Sequence, residues 1–203
     1  EGFEELHGEA LRRFDLYLDD AVNLWLQPVD ITRMGLSWEP DAGGALDSRR
    51  VLDDWSRLDE FIDKLPRAET DPQFDALARE AERAHTLDRY VVVAWWRLFF
   101  ERPWALRGME NLLLDYALEA EQVHRLHNAL CAQYCSYLDH AARLLAPDGF
   151  WTSDDLGHQY DAMMSVETFT TLIKPYYDRI GRRLRERSMH WWLHSCGDNS
   201  SLL

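Results

Sequence analysis

The sequence predicts an α/β fold built on a parallel sheet, and three observations carry that expectation. Residues 90–96, YVVVAWW, are a continuous apolar and β-branched run of the kind found in a strand buried on both faces. Two further short apolar runs, Gly149–Ser153 and His190–His194, each end in a burst of polar, chemically capable side chains. Between these two lies one long amphipathic segment, 166–187. Strand, polar loop, helix, strand, polar loop is the order of a βαβ unit, which carries its chemistry at the C-terminal ends of the strands.

Taken in order, residues 3–26 place Phe3, Leu6, Ala10, Leu11, Phe14, Leu18, Val22 and Leu26 at helical spacing, and Pro28 ends that helix. Residues 29–38 read as a strand with its following loop, and the AGG at 42–44 as a turn. Residues 53–65, DDWSRLDEFIDKL, read as one or two short acidic helices. Asp71 is placed to cap a helix with Pro72 at its first position, running to about His85. After the strand at 90–96, helices are expected at 106–118 and 121–145 in series, followed by the strand, helix and strand already named. No internal repeat, low-complexity tract or linker interrupts the chain, so one domain is expected over 1–203.

Composition narrows the function. With 46% hydrophobic residues the chain has the material for one proper core. A formal net charge of −14 argues against a nucleic-acid or anionic-membrane surface. No apolar run approaches the roughly 20 residues that span a bilayer, and no signal peptide is visible. Three cysteines give no disulfide framework, and a reducing cytoplasm is the expected home.

Candidate chemistry gathers at the last two strand ends. His194 and Cys196 are i and i+2 on an extended segment, so an imidazole and a thiol project to one side, as zinc requires of its N and S ligands. Two ligands are not a site, and the ordinary reading makes His194 a loop-bonding residue and Cys196 a small buried filler. Asp154 and Asp155 point oppositely, which rules out a shared-proton dyad; one faces the pocket and the other caps or braces the loop. His158 and Gln159 are close enough to line the same mouth. Trp95, Trp96 and Arg97 close the clearest strand; the tryptophans read first as core, with Arg97 the more interesting residue bordering a pocket. Cys131 and Cys135, spaced i and i+4 on a helix, read as core rather than as a metal pair. His124, His127 and His140 read as partly exposed, and Arg182, Arg183, Arg185 and Arg187 as a solvated face at a helix C-terminus.

The motifs DGFWTSDDLGHQ, SVETFTTLIKPYYDRI and WWLHSCG, in this order over some fifty residues, resemble those of the uroporphyrinogen decarboxylase superfamily. The upstream LRGMENLLLDYALEAEQVHRL resembles its L-x-G-x-E-N-x-L helix, so the likeness runs from about residue 90 onward. It implies a (β/α)₈ TIM barrel. At 203 residues the chain is shorter than the roughly 250 of a complete barrel, so an incomplete one, lacking its last strands, is expected. The resemblance further implies either metal-free porphyrin decarboxylation or zinc-dependent methyl transfer between a corrinoid and a thiol. On that basis Asp154, Asp155 and His158 are the candidate catalytic residues, and Gln159, Trp96 and Arg97 the candidate substrate contacts. His194 and Cys196 are then the candidate zinc ligands, with a third, cysteine ligand expected beyond Leu203. The arginine-rich motif of the decarboxylases is not found, since Arg33 and Arg49-Arg50 sit in other company, which favours the methyltransferase side. A non-catalytic truncated relative is the competing class. Expected partners are a small thiol or a tetrapyrrole, a corrinoid protein, and a second copy of the chain in a homodimer.

Overall fold

A computed structural model describes residues 21–36 and 51–202. Strands β1 (Val22–Trp25), β2 (Val91–Trp95), β3 (Gly149–Ser153) and β4 (His190–His194) pair in that order, each parallel to the next. Parallel neighbours need a crossover rather than a hairpin. Helices α1 (Leu58–Asp63) and α2 (Gln73–Thr86) therefore lie between β1 and β2. Helices α3 (Glu101–Arg107), α4 (Met109–Leu118) and α5 (Ala120–Leu145) lie between β2 and β3, and α6 (Val166–Thr168) and α7 (Lys174–Glu186) between β3 and β4. The expected α/β class and the parallel pairing of the three sequence-legible strands are both observed. Among the described residues no helix is long and apolar enough to cross a membrane.

The register divides the sheet into two faces. Leu24, Val93, Phe150 and Trp191 form one row across the strands, and Trp25, Ala94, Trp151 and Trp192 form the next. Successive rows point to opposite sides. The face of the first row meets the helices: the Trp191 ring stacks on Tyr177 of α7 at 5.5 Å, and Trp95, on the same face, lies 5.5 Å from Tyr134 of α5. Helix α5 supplies a buried stripe of Val123, Leu126, Leu130, Tyr134, Tyr137, Leu138, Ala141 and Leu145 at helical spacing. Each large apolar side chain there contributes about 1.5–3 kcal/mol of burial. The second row carries Trp25, which is 45% exposed. At the β4 edge Leu193 is exposed and Trp191 and Trp192 are half-buried, so the last strand presents apolar surface.

Buried polar groups fasten the loops. Arg107 forms a two-point ion pair with Asp115 (2.8 and 3.1 Å), and its guanidinium lies 4.2 Å above the Trp55 ring. Asp71 does cap the start of α2, through the Gln73 amide at 3.0 Å, and also receives Arg33 at 2.8 Å and the Tyr137 hydroxyl. The arginines at the C-terminal end of α7 make the solvated face expected of them: Arg183 and the capping Arg187 reach Asp139 at 3.5 and 3.0 Å, with all three side chains substantially exposed.

Several element expectations need correction. Residues 3–20 of the expected first helix lie outside the described residues, but its last turn is β1 instead. The alternation Val22, Leu24, Leu26 against Asn23, Trp25, Gln27 is a period of two that the upstream helical spacing masks. The strand expected at 29–38 is a turn over its described part. Asp30 Oδ1 accepts the amides of Thr32 and Arg33 at 3.0 and 3.1 Å, and Gly35 takes φ +64°. Residues 37 and 38, and the AGG turn at 42–44, lie outside the described residues. The helix expected at 106–118 is two helices, α3 and α4, broken at Gly108, whose φ is +79°. The helix expected at 166–187 widens to a π-helical turn at Phe169–Ile173, directly before Pro175. A proline lacks the N–H for a regular helical bond, and a π-bulge is one way to absorb it.

Candidate metal centre

β3 and β4 end side by side, with Ser153 paired to His194 and the Asp154 amide donating to the His194 carbonyl at 2.9 Å. Beyond this point the two loops remain locked together. Ser195 Oγ accepts the Leu156 amide at 3.0 Å, and the Asp198 amide donates to the His158 carbonyl at 2.8 Å. A Cβ on Gly157 would lie 2.4 Å from the Asp198 carbonyl oxygen, and one on Gly197 would lie 2.3 Å from the Gly157 carbonyl carbon. The glycines of DDLGHQ and HSCG are thus the points where one backbone crosses the other, closer than any side chain allows. Gly197 additionally takes φ +74°.

Three side chains converge beside this crossing. His194 Nε2 is 3.2 Å from Cys196 Sγ and 3.7 Å from Asp155 Oδ1, and the Cys196 amide donates to that same Oδ1 at 2.8 Å. The ligand atoms of all three lie within 4.8 Å of one another. Two tetrahedral zinc ligands at about 2.0–2.3 Å from the metal stand roughly 3.5 Å apart, so this spacing fits such an ion with little adjustment. His194 and Cys196 are exposed and Asp155 is half-buried. With no cation present, the Asp155 carboxylate pushes the Cys196 thiol up from its ordinary value. A bound divalent cation reverses that sign, because it stabilises both anions at once.

The two adjacent aspartates separate as their alternation requires. Asp154 has no exposed surface; its carboxylate accepts the amides of Phe99, Phe100 and Glu101 at 3.0, 3.0 and 2.7 Å and the Tyr177 hydroxyl at 2.7 Å. These amides open α3, so Asp154 caps a helix from the neighbouring strand end. Burial pushes its carboxyl up to about 6, against the pull of its hydrogen bonds. Of the two candidate aspartates, Asp154 is the one that braces the loop from the interior, and Asp155 is the one that faces the cluster. Glu101 completes the brace by accepting the Ser153 hydroxyl at 2.6 Å.

The remaining candidates are spread around this centre. His158 and Gln159 are exposed, and the His158 ring turns toward Tyr160, whose amide its Nδ1 accepts at 3.3 Å. Arg97 takes φ +73°, its amide donates to Ser153 Oγ at 3.2 Å, and its carbonyl accepts the Tyr134 hydroxyl. Trp96 is 54% exposed rather than core. Its ring stacks on Trp25 at 5.6 Å and meets Trp151 edge-on at 4.7 Å, and Trp151 in turn stacks on His194 at 6.3 Å. A tryptophan cluster therefore leads up to the centre on the sheet face away from the helices. Trp25 and Trp151 escaped the sequence reading; the alternation in β1 and the i, i+3 offset of Trp151 before Asp154 were the available signals.

Away from the centre, Cys131 is buried with its thiol against the Tyr176 carbonyl, as a core cysteine should be, and Cys135 is half-buried. His127 corrects the expectation of partial exposure. It is fully buried, its Nδ1 pairs with the Leu172 carbonyl at 2.7 Å, and burial lowers it to about 4, so it is neutral at pH 7. His140 is nearly buried, and His124 pairs with the Tyr176 hydroxyl at 2.8 Å. No protein-family model matches this chain, and no curated protein matches it.

Proposed function

We propose that this chain is that of a zinc-dependent methyltransferase of the uroporphyrinogen decarboxylase type, passing a methyl group between a corrinoid and a small thiol. One observation carries the reading: His194 Nε2 and Cys196 Sγ stand 3.2 Å apart at a strand C-terminus, exposed to solvent. When bound, zinc supplies the charge that keeps a thiol in its anionic, nucleophilic form, which a free thiol at neutral pH mostly is not. The chain's own part is to hold and orient. His194 is steadied by the Trp151 ring, Cys196 by the Asp155 carboxylate on its amide, and the two loops by the Gly157–Gly197 crossing. In the transfer the acceptor sulfur forms the new C–S bond, its proton goes to solvent, and the electron pair of the broken bond stays with the methyl carrier.

Four parallel strands with polar loops at their C-terminal ends support a place within a (β/α)₈ barrel. The acidic balance and free cysteines favour a cytoplasmic protein with a small-molecule or corrinoid-protein partner, and no nucleic acid. The test is elemental analysis of the full-length protein and of Cys196→Ser, together with methyl transfer to a small thiol. About one zinc per chain, lost with activity in the variant, is expected. A zinc-free protein that decarboxylates a porphyrinogen would overturn the reading.

A further inference from the structure

The geometry points to Asp155 as a direct oxygen ligand of the metal, completing a mixed N, S and O donor set from residues of this chain. The inference rests on the zinc reading of His194 and Cys196 and adds a ligand to it. Four observations combine.

Asp155 Oδ1 is 3.7 Å from His194 Nε2, and all three donor atoms lie within 4.8 Å, close to the mutual spacing that tetrahedral zinc ligands need. Its orientation is fixed by protein contacts, since the Cys196 backbone amide donates to Oδ1 at 2.8 Å and Asp154, one residue earlier, is anchored by four donors on the opposite side. The loops that carry the donors are locked by protein contacts alone, through Leu156 to Ser195, His158 to Asp198, and the glycine crossing. The arrangement is therefore organised before any ion arrives. Finally, the donor set is selective. One imidazole, one thiolate and one carboxylate suit a borderline ion such as zinc, better than soft copper(I) or hard magnesium. The three donors also lie on an exposed rim, where an incoming thiol can approach the ion.

A carboxylate that merely braced the turn would need only a neutral acceptor for the Cys196 amide. Asp155→Asn separates the two roles, because its side-chain oxygen still accepts that amide while the charged ligand is gone. The probe is cobalt(II), which substitutes for zinc and reports its ligands by absorption, titrated into the metal-free full-length protein. Wild type is expected to bind one equivalent with a thiolate-to-cobalt band. Asp155→Asn should bind more than about 100-fold more weakly, beyond the 10–100-fold typical of outer-shell losses, at an unchanged metal-free unfolding midpoint. Asp155→Cys should restore binding and strengthen the charge-transfer band, which keeps the test decisive if the asparagine variant folds poorly. Asp155→Asn affinity equal to wild type, or no added band in Asp155→Cys, would overturn the assignment. If binding vanishes in Cys196→Ser but persists in Asp155→Asn, the His194–Cys196 reading stands and only Asp155 falls. A wild type that takes up no cobalt sinks both.

Discussion

Gly197 meets Gly157 backbone to backbone, leaving no room for a Cβ on either residue. Two loops from neighbouring strands are thereby held in one fixed relation, and His194, Cys196 and Asp155 inherit their spacing from it. Gly197→Ala places a Cβ 2.3 Å from the Gly157 backbone and forces φ +74° on a residue that resists it. The expected cost is about 2 kcal/mol or more, read as a lower urea midpoint, with weakened zinc uptake. An alanine variant with wild-type stability would mean that the crossing is not rigid.

Asp154 and Asp155 are adjacent in sequence and opposite in consequence. Asp154→Ala strips the acceptor from three amides and a tyrosine hydroxyl, all in the interior or at its edge. Buried donors left unpaired cost about 1–3 kcal/mol each, so a loss of at least about 3 kcal/mol in chemical denaturation is expected. Asp155→Ala removes one acceptor from an exposed amide and should change stability by under about 1 kcal/mol. Equal losses in the two variants would contradict the division of roles.

Asp154 also makes stability depend on pH in a direction that can be checked. Its carboxyl is raised from 3.8 to about 6 in the folded protein by burial. Between those values the native state holds a proton that the unfolded chain has released. The group's contribution is therefore fully present below about pH 4 and declines as pH rises to about 6, by at most about 3 kcal/mol. Urea midpoints of wild type and Asp154→Asn across pH 4–7 should converge at the acid end and separate toward neutrality. A constant difference between the two would show that Asp154 titrates normally.

Much of this was legible in the sequence, for physical reasons that also mark where legibility ends. β2 is five buried residues in a row, and its continuous apolar, β-branched sequence marked it as a strand buried on both faces. His194 and Cys196 could be placed on one side because a strand repeats every two residues. β1 was lost because Val22 and Leu26 also fit a helical period, and four residues are too few to distinguish the two. Which aspartate faces the centre was open for a different reason. Alternation says that Asp154 and Asp155 diverge, but only the α3 amides, more than fifty residues away in sequence, decide which one turns inward. The tryptophan cluster of Trp25, Trp96 and Trp151 joins β1, the residue after β2, and β3, and depends on the strand register, which no local pattern encodes.

Arg107 and Asp115 test the core independently of the site. Both side chains are less than a tenth exposed, and the pair is held by two hydrogen bonds and the Trp55 ring. Removing one partner strands the other charge in a dry environment, at a cost of about 3–5 kcal/mol. Arg107→Ala should lower the thermal midpoint sharply while leaving His194, Cys196 and Asp155 in place. The matched replacement of both residues by apolar side chains of similar size should recover much of that loss. A single variant as stable as wild type would show that the pair is solvated.

The thiol of Cys196 offers the last test, by alkylation. Only the thiolate reacts, and Asp155 pushes the Cys196 thiol up, so the metal-free protein should be alkylated slowly at neutral pH despite its exposure. Asp155→Asn removes the neighbouring charge and should quicken the reaction in the metal-free protein. On the proposed zinc reading the ion acts the other way on the wild type: it would deprotonate the thiol yet occupy its lone pairs, so loading should protect Cys196. Cys131, buried, should stay unmodified throughout. Mass spectrometry of the alkylated peptides reads all three expectations at once. Equal rates for wild type and Asp155→Asn, with no zinc protection, would mean that carboxylate and thiol do not share one site.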